Sequence, residues 1–247
     1  MAIINAIDLG NSRAKMLSRG NVFVSEYANS WYEEFLMQSL CEPGGECVFS
    51  VASVNIPRYQ QLADLLSKSH IPFLNANEII HDFSDIDFSE IHGMGIDRKY
   101  GLIGAYSVVK PPFIVIDSGT AITINPLTRD RKALGGVIMP GLESQAKSLA
   151  DFTDLLPYIQ IHHTDKYFGQ STAEAINSGI YQSVTGGIMH ILRGISNSHF
   201  DGEIPKVLIT GGQGQIIQKG LPINTVYHPD LVLFGIEKVA AQSIHLF

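Results

Sequence analysis

Two cysteines are too few for a disulfide framework, and Cys41 and Cys47 flank a Glu42-Pro43-Gly44-Gly45-Glu46 turn with no Cys/His pair beside them. That spacing gives no zinc signature. A short disulfide loop is geometrically conceivable, but two reduced thiols are the expected state of so cysteine-poor a chain. Basic residues are also scarce: 17 Lys and Arg against 24 Asp and Glu leave a net charge of −7. Tracking nucleic acid or an acidic membrane surface needs a basic face, so neither partner is expected. Long apolar runs are missing as well. The longest charge-free stretch, residues 175–192, carries Asn, Ser, Gln, Thr and several Gly, and makes a poor membrane span. The N-terminus holds no basic segment and its apolar run breaks at Asp8, so no export signal is expected. These absences point to a cytoplasmic protein.

What is present is ample material for a core: 45% hydrophobic residues over 247 positions, with charged residues at only 17%. Strands are expected at 2–8, 15–18, 22–27, 47–51 and 73–76, and helices at 30–40, 57–69 and 97–109. The acidic stretch 81–90 reads as a surface loop. Then the opening pattern returns. Ile7-Asp8-Leu9-Gly10-Asn11-Ser12 and Ile116-Asp117-Ser118-Gly119-Thr120-Ala121 share Ile-Asp-x-Gly followed by short residues. Further strands are expected at 121–125, 136–139 and 206–210. Ser171-Thr172-Ala173-Glu174 is a capping box opening a helix towards residue 195, and another helix closes the chain over 229–244. The chain therefore reads as two α/β halves, residues 1–110 and 111–247, each headed by an Asp-Gly hairpin.

A strand that ends Asp-x-Gly and doubles back has a physical use. Glycine lets the backbone turn tightly and approach a ligand, and successive N–H groups make a concave anion nest. The Asp can hold a hydrated magnesium ion beside phosphates. One such hairpin is an ordinary turn; two in matching register, in separate halves, favour phosphate binding. No G-x-x-x-x-G-K-[ST] occurs, and Gly212-x-Gly214 has Ile217 where a dinucleotide fingerprint needs its third Gly. In Gly95-Ile96-Asp97-Arg98, Asp97 fits either a helix cap or a general base beside a cation. Trp31 reads as a packing residue, and His162-His163, with no carboxylate at metal spacing, as part of a solvated loop.

In order along the chain, Asp8-Leu-Gly-Asn-Ser-x-x-Lys15, Gly95-Ile-Asp-Arg98, Asp117-Ser-Gly-Thr-Ala-Ile-Thr123 and Gly135-Gly-Val-Ile-Met-Pro-Gly141 form a set. This set closely resembles the type III pantothenate kinase family of the acetate kinase, sugar kinase and actin superfamily. The resemblance implies an α/β fold of two ribonuclease H-like halves, the actin-like ATPase fold, each a mixed sheet flanked by helices, with a cleft between them. It implies a homodimeric transferase that phosphorylates pantothenate with ATP to 4′-phosphopantothenate, the first step of coenzyme A biosynthesis. Asp8, Leu9, Gly10, Asn11, Ser12, Arg13, Ala14 and Lys15 would bind ATP together with Thr120, and Asp8 would hold Mg2+ through water. Asp97 would accept the proton of the pantothenate hydroxyl. Gly95, Ile96, Asp97 and Arg98 would contact pantothenate, as would Thr172 across the dimer interface. Asp117 would hold a monovalent cation, K+ or NH4+. Two residues depart from the family pattern: Phe88 stands in place of the pantothenate-contacting Tyr and keeps only an aromatic wall, and Asn125 replaces a frequent Asp and is assigned no ligand. The competing readings are a kinase of another small hydroxy acid or sugar on the same fold, and a nucleotide-dependent regulatory binding protein.

Overall fold

In the computed structural model, which describes residues 3–27, 31–33 and 47–244, the opening apolar run is β1 (Ile3–Leu9). It pairs antiparallel with β2 (Arg13–Ser18), which pairs antiparallel with β3 (Asn21–Glu26). β4 (Cys47–Ser53) and β5 (Phe73–Asn75) join the other side of β1 in parallel, giving the order β3-β2-β1-β4-β5. Parallel neighbours need a crossover, and α1 (Ile56–Lys68) supplies it between β4 and β5. Asn55 caps α1 by accepting from the Arg58 N–H at 3.3 Å, with Pro57 in the first turn. Leu62 and Leu66 of this helix are buried with Ile7, Leu9, Met16, Phe49 and Val51, so period-2 and period-3.6 apolar faces meet in one core. Trp31 is 1% exposed in that core, edge-on to Tyr27 and Tyr32, which is a packing role. Residues 31–33 are helical; the remainder of the helix expected over 30–40 lies outside the described residues, as does Cys41. Cys47 is disulfide-bonded, which corrects the expectation of reduced thiols.

The chain separates into two compact units. The first comprises Met1–Lys110 with Asp230–Phe247, and the second Pro111–Pro229. After β5 the first unit continues through α2 (Ala76–Ile79) and α3 (Ile96–Val108). The last helix of the chain is numbered α7 (Leu231–Ser243). It packs on α3 and β1, so the expected second half running to residue 247 is corrected to end at Pro229. The reason is a backbone-to-backbone fit. A Cβ on Gly235 would lie 2.9 Å from the Tyr100 carbonyl carbon and 3.1 Å from the Gly104 nitrogen, so two facing glycines let α3 and α7 touch.

The second unit repeats the first. β6 (Phe113–Ser118), β7 (Ala121–Leu127) and β8 (Val137–Pro140) form the antiparallel meander, and β9 (Lys206–Thr210) and β10 (Thr225–Tyr227) add in parallel. The order is β8-β7-β6-β9-β10, the same path as in the first sheet. The six-residue similarity in the sequence thus marks the head of two sheets with one topology. α4 (Leu142–Asp151), α5 (Thr172–His199) and α6 (Gly214–Gly220) complete this unit. Ile176, Ile180, Val184, Ile188 and Leu192 of α5 pack with Ile114, Ile116, Val207 and Ile209. Among the described residues no helix is long and apolar enough to cross a membrane.

Candidate functional site

In the first unit β1 ends at Leu9 and β2 begins at Arg13, so Gly10, Asn11 and Ser12 make the reversal. The Gly10 N–H donates to the Arg13 carbonyl at 3.1 Å, and the Val54 N–H donates to the Leu9 carbonyl at 3.2 Å. The Tyr27 hydroxyl donates to the Gly10 carbonyl at 2.7 Å. Burial, reinforced by the Asp8 charge and opposed by Arg58, pushes the Tyr27 pKa up, so this hydroxyl stays a donor. The Arg58 guanidinium lies over the Tyr27 ring, 4.7 Å from its centroid. With the Leu9, Gly10 and Arg13 carbonyls tied down, the hairpin exposes Asn11, Ser12 and Arg13 at the tip, where an anion can reach them. Leu9 and Ala14 have fully buried side chains, so only their backbone is available to a ligand. Asp8 stands directly opposite Lys15 in the β1–β2 register, which puts both side chains on one face. Lys15 Nζ is 3.4 Å from Asp230 Oδ1, a partner that sequence reasoning missed.

The Gly95-Ile96-Asp97-Arg98 segment opens α3. Gly95 is the cap, so Asp97 lies within the first turn rather than at the cap position. There its Oδ1 accepts the Arg98 N–H at 2.8 Å, where a helix N-terminus favours negative charge. Arg98 is half-buried; burial lowers its pKa and the Asp97 charge opposes that. Phe88 is half-buried too, with Lys99 Nζ 5.5 Å from its ring centroid. The structure therefore brings Phe88 next to the first turn of α3, which holds Asp97.

The second hairpin is one residue shorter: β6 ends at Ser118 and β7 begins at Ala121, so Gly119 and Thr120 alone make the reversal. The Gly119 N–H donates to the Ala121 carbonyl at 3.0 Å, and the Gln213 N–H donates to the Ser118 carbonyl at 3.0 Å, as Val54 does to Leu9. Gly211 has φ +89, and a Cβ there would run into the Asp117 carboxylate and lie 2.7 Å from the Ser118 carbonyl carbon. Only glycine fits this place. Ser118 Oγ and Gln213 Oε1 are buried without a hydrogen-bond partner. Orphaned hard oxygens on the segments that flank a carboxylate suit a hard cation. Among the described residues no group of three or more His, Cys, Asp or Glu could hold a metal, so a cation here would depend on single carboxylates, other oxygens and bound phosphate. Thr120 is exposed, and its carbonyl accepts the Gly141 N–H at 2.9 Å and the Ser144 hydroxyl at 2.7 Å, which ties the Pro140-Gly141 motif to the hairpin. Asn125 is buried and bonds Thr123 Oγ1 at 3.0 Å, an interior contact.

Thr172 is the first residue of α5, behind the Ser171 cap that accepts the Glu174 N–H at 3.2 Å. Glu174 in turn accepts from Lys166 Nζ at 2.8 Å and the Gln170 N–H at 2.9 Å. Thr172 is exposed at the edge of a groove of about 600 Å³ lined also by Leu149, Leu156, Ile176 and Ile180. The 152–171 segment beside it leaves Phe152 86%, Leu155 91%, Tyr167 83% and Phe168 77% exposed. His162 and His163 are not simply solvated. The His162 N–H donates to Asn177 Oδ1 at 2.9 Å and His163 Nδ1 is 2.7 Å from the Tyr181 hydroxyl, so both are pinned to α5.

Residues 5–194 match the family model described as type III pantothenate kinase. A type III pantothenate kinase of Persephonella marina is 36% identical over 154 residues, covering 61% of this chain and 58% of that protein. The match thus spans about three-fifths of the length of such a relative. In fold, the chain is similar to a Baf family protein from Campylobacter jejuni, with TM-score 0.65 and 23% identity over 98% of this chain and 99% of that one. It is also similar to a Sinorhizobium meliloti protein described as a 2-dehydro-3-deoxygalactonokinase, with TM-score 0.60 and 12% identity over 97% and 98% of the two chains.

Proposed function

Because the chain belongs to the type III pantothenate kinase family, we propose that it transfers the γ-phosphoryl group of ATP to the primary hydroxyl of pantothenate, giving 4′-phosphopantothenate and ADP in the cytoplasm. The observation that carries this reading is the family match over 190 residues, 5–194, on a chain whose two sheets share one strand order and each begin with an Asp-x-Gly hairpin. Phosphoryl transfer asks for charge neutralisation and in-line positioning rather than covalent chemistry by the protein. Residues 8–15 and Thr120 bind the nucleotide. Arg98 and the Phe88 wall orient pantothenate, and Asp97 takes the hydroxyl proton as that oxygen bonds to phosphorus and the bridging oxygen leaves with ADP. Mg2+ beside Asp8 and K+ or NH4+ beside Asp117, when bound, neutralise phosphate charge. The test is ADP release in the presence of pantothenate; release that depends instead on another hydroxy acid or a sugar would contradict the substrate assignment.

The cation assignment has its own consequence. Replacing K+ by Na+ should lower turnover several-fold, and Asp117→Asn should remove the difference between the two salts. Equal rates of the unaltered enzyme in both salts would contradict it.

A second copy of the chain is proposed to cover the groove beside Thr172. Phe152, Leu155, Tyr167 and Phe168, all exposed, belong to the same 152–171 segment as the groove-lining Leu156, Gly169 and Gln170, and exposed large apolar side chains of this kind suit an interface. Light scattering at micromolar concentration should give twice the mass of the chain, and Leu155→Asp with Phe168→Asp should give the single chain. A stable monomer of the unaltered protein would contradict the dimer and would leave Thr172 without its role.

A further inference from the structure

Lys15 and Asp230 are 215 positions apart in sequence, yet their charged atoms are 3.4 Å apart. Their side chains are only 19% and 17% exposed, so solvent and salt screen this pair less than a surface ion pair. Asp230 occupies the cap position of α7, where an aspartate ordinarily accepts an N–H of the first turn. Here its side chain makes no cap bond, and its carboxylate is directed at Lys15 instead. Asp8, directly opposite Lys15, flanks the lysine on its own sheet. A lysine on a flexible four-carbon stem has rotamer entropy to lose when it settles on a phosphate. A carboxylate that already restrains its ammonium removes much of that loss before the nucleotide arrives.

We propose that Asp230 is a positioning residue for nucleotide binding, which holds the Lys15 ammonium at the phosphate end of the first hairpin. The return of α7 to the first unit then has a functional consequence besides packing: it delivers the counter-ion of the phosphate-binding lysine. This rests on the reading of residues 8–15 as the phosphate site.

The test is a double-substitution cycle read by the dissociation constant for MgATP and by the melting temperature. Asp230→Asn keeps shape and capping ability, and should weaken MgATP binding about tenfold, the lower end for a bond to a charged group, with little change in melting. Asp230→Glu should recover most of the loss. In a Lys15→Met background, Asp230→Asn should have no further effect. Unchanged MgATP binding in Asp230→Asn would overturn the proposal, as would an equal loss in both backgrounds or a loss matched by lowered melting that Asp230→Glu does not rescue. Failure of the unaltered protein to bind MgATP would overturn the phosphate reading beneath it, a result distinct from any of these.

Discussion

Replacing Asp97 by asparagine should lower turnover by roughly 10²-fold or more, the usual scale for a general acid–base group, with ATP binding almost unchanged. A primary alcohol attacks poorly until its proton has a destination, and asparagine offers a carboxamide of the same shape that cannot take that proton up. The position of Asp97 makes the experiment clean. Gly95, not Asp97, caps α3, and the Asp97 oxygen bonds only the next N–H in the first turn. An asparagine oxygen can keep that bond. The structural cost is then the interaction of the carboxylate with the helix dipole, about 0.3–1 kcal/mol, together with its interaction with the Arg98 charge. Near-normal turnover would rule out the base role, whereas lost activity accompanied by a large fall in melting temperature would assign Asp97 to helix stability instead.

Gly235→Val should strongly destabilise the first unit. A Cβ at Gly235 meets the Tyr100 carbonyl and the Gly104 nitrogen, both backbone groups that cannot rotate away. α7 must therefore lift from α3, and overpacking of this kind costs about 3 kcal/mol. The improved helix propensity of a residue other than glycine recovers only a few tenths of that. Because α3, α7 and β1 all belong to the first compact unit, the loss should be local. Amide exchange should accelerate in β1 and α3 while β6 and α5 keep their protection. Gly104→Val should do the same from the opposite helix, where a Cβ would lie 2.7 Å from the Leu231 carbonyl carbon. Unchanged exchange in β1 would show that the helices can separate without loss.

Both hairpins and the strand–helix path were legible because each rests on local chemistry. Asp8-x-Gly10 and Asp117-x-Gly119 are turn signals at the ends of apolar strands, and the helix expected from Asp97 begins one residue earlier, at Ile96. What stayed hidden depends on residues far apart. α7 is apolar on several sides, with Leu231, Leu233, Ile236 and Val239 buried, which announces a buried helix but not which sheet receives it. Its choice of the first unit follows from the Gly104–Gly235 approach, a pairing with no local signature. The Lys15–Asp230 pair was hidden for the same reason. α4 escaped notice because its apolar positions, Leu142, Ala146 and Leu149, are few and one of them is small. His163 read as solvated because its neighbours are polar, and only the fold brings Tyr181 to its ring. The Tyr27 hydroxyl on the Gly10 carbonyl had no motif to reveal it either.

The most direct test of the account is to incubate the purified chain with pantothenate, MgATP and K+ and follow the pantothenate by mass. The account predicts its conversion to a monophosphate ester at the primary hydroxyl, one ADP released for each ester formed, and near-complete loss of both products with Asp97→Asn. Bound ATP with no phosphorylated pantothenate, or an ester formed equally well by Asp97→Asn, would contradict it.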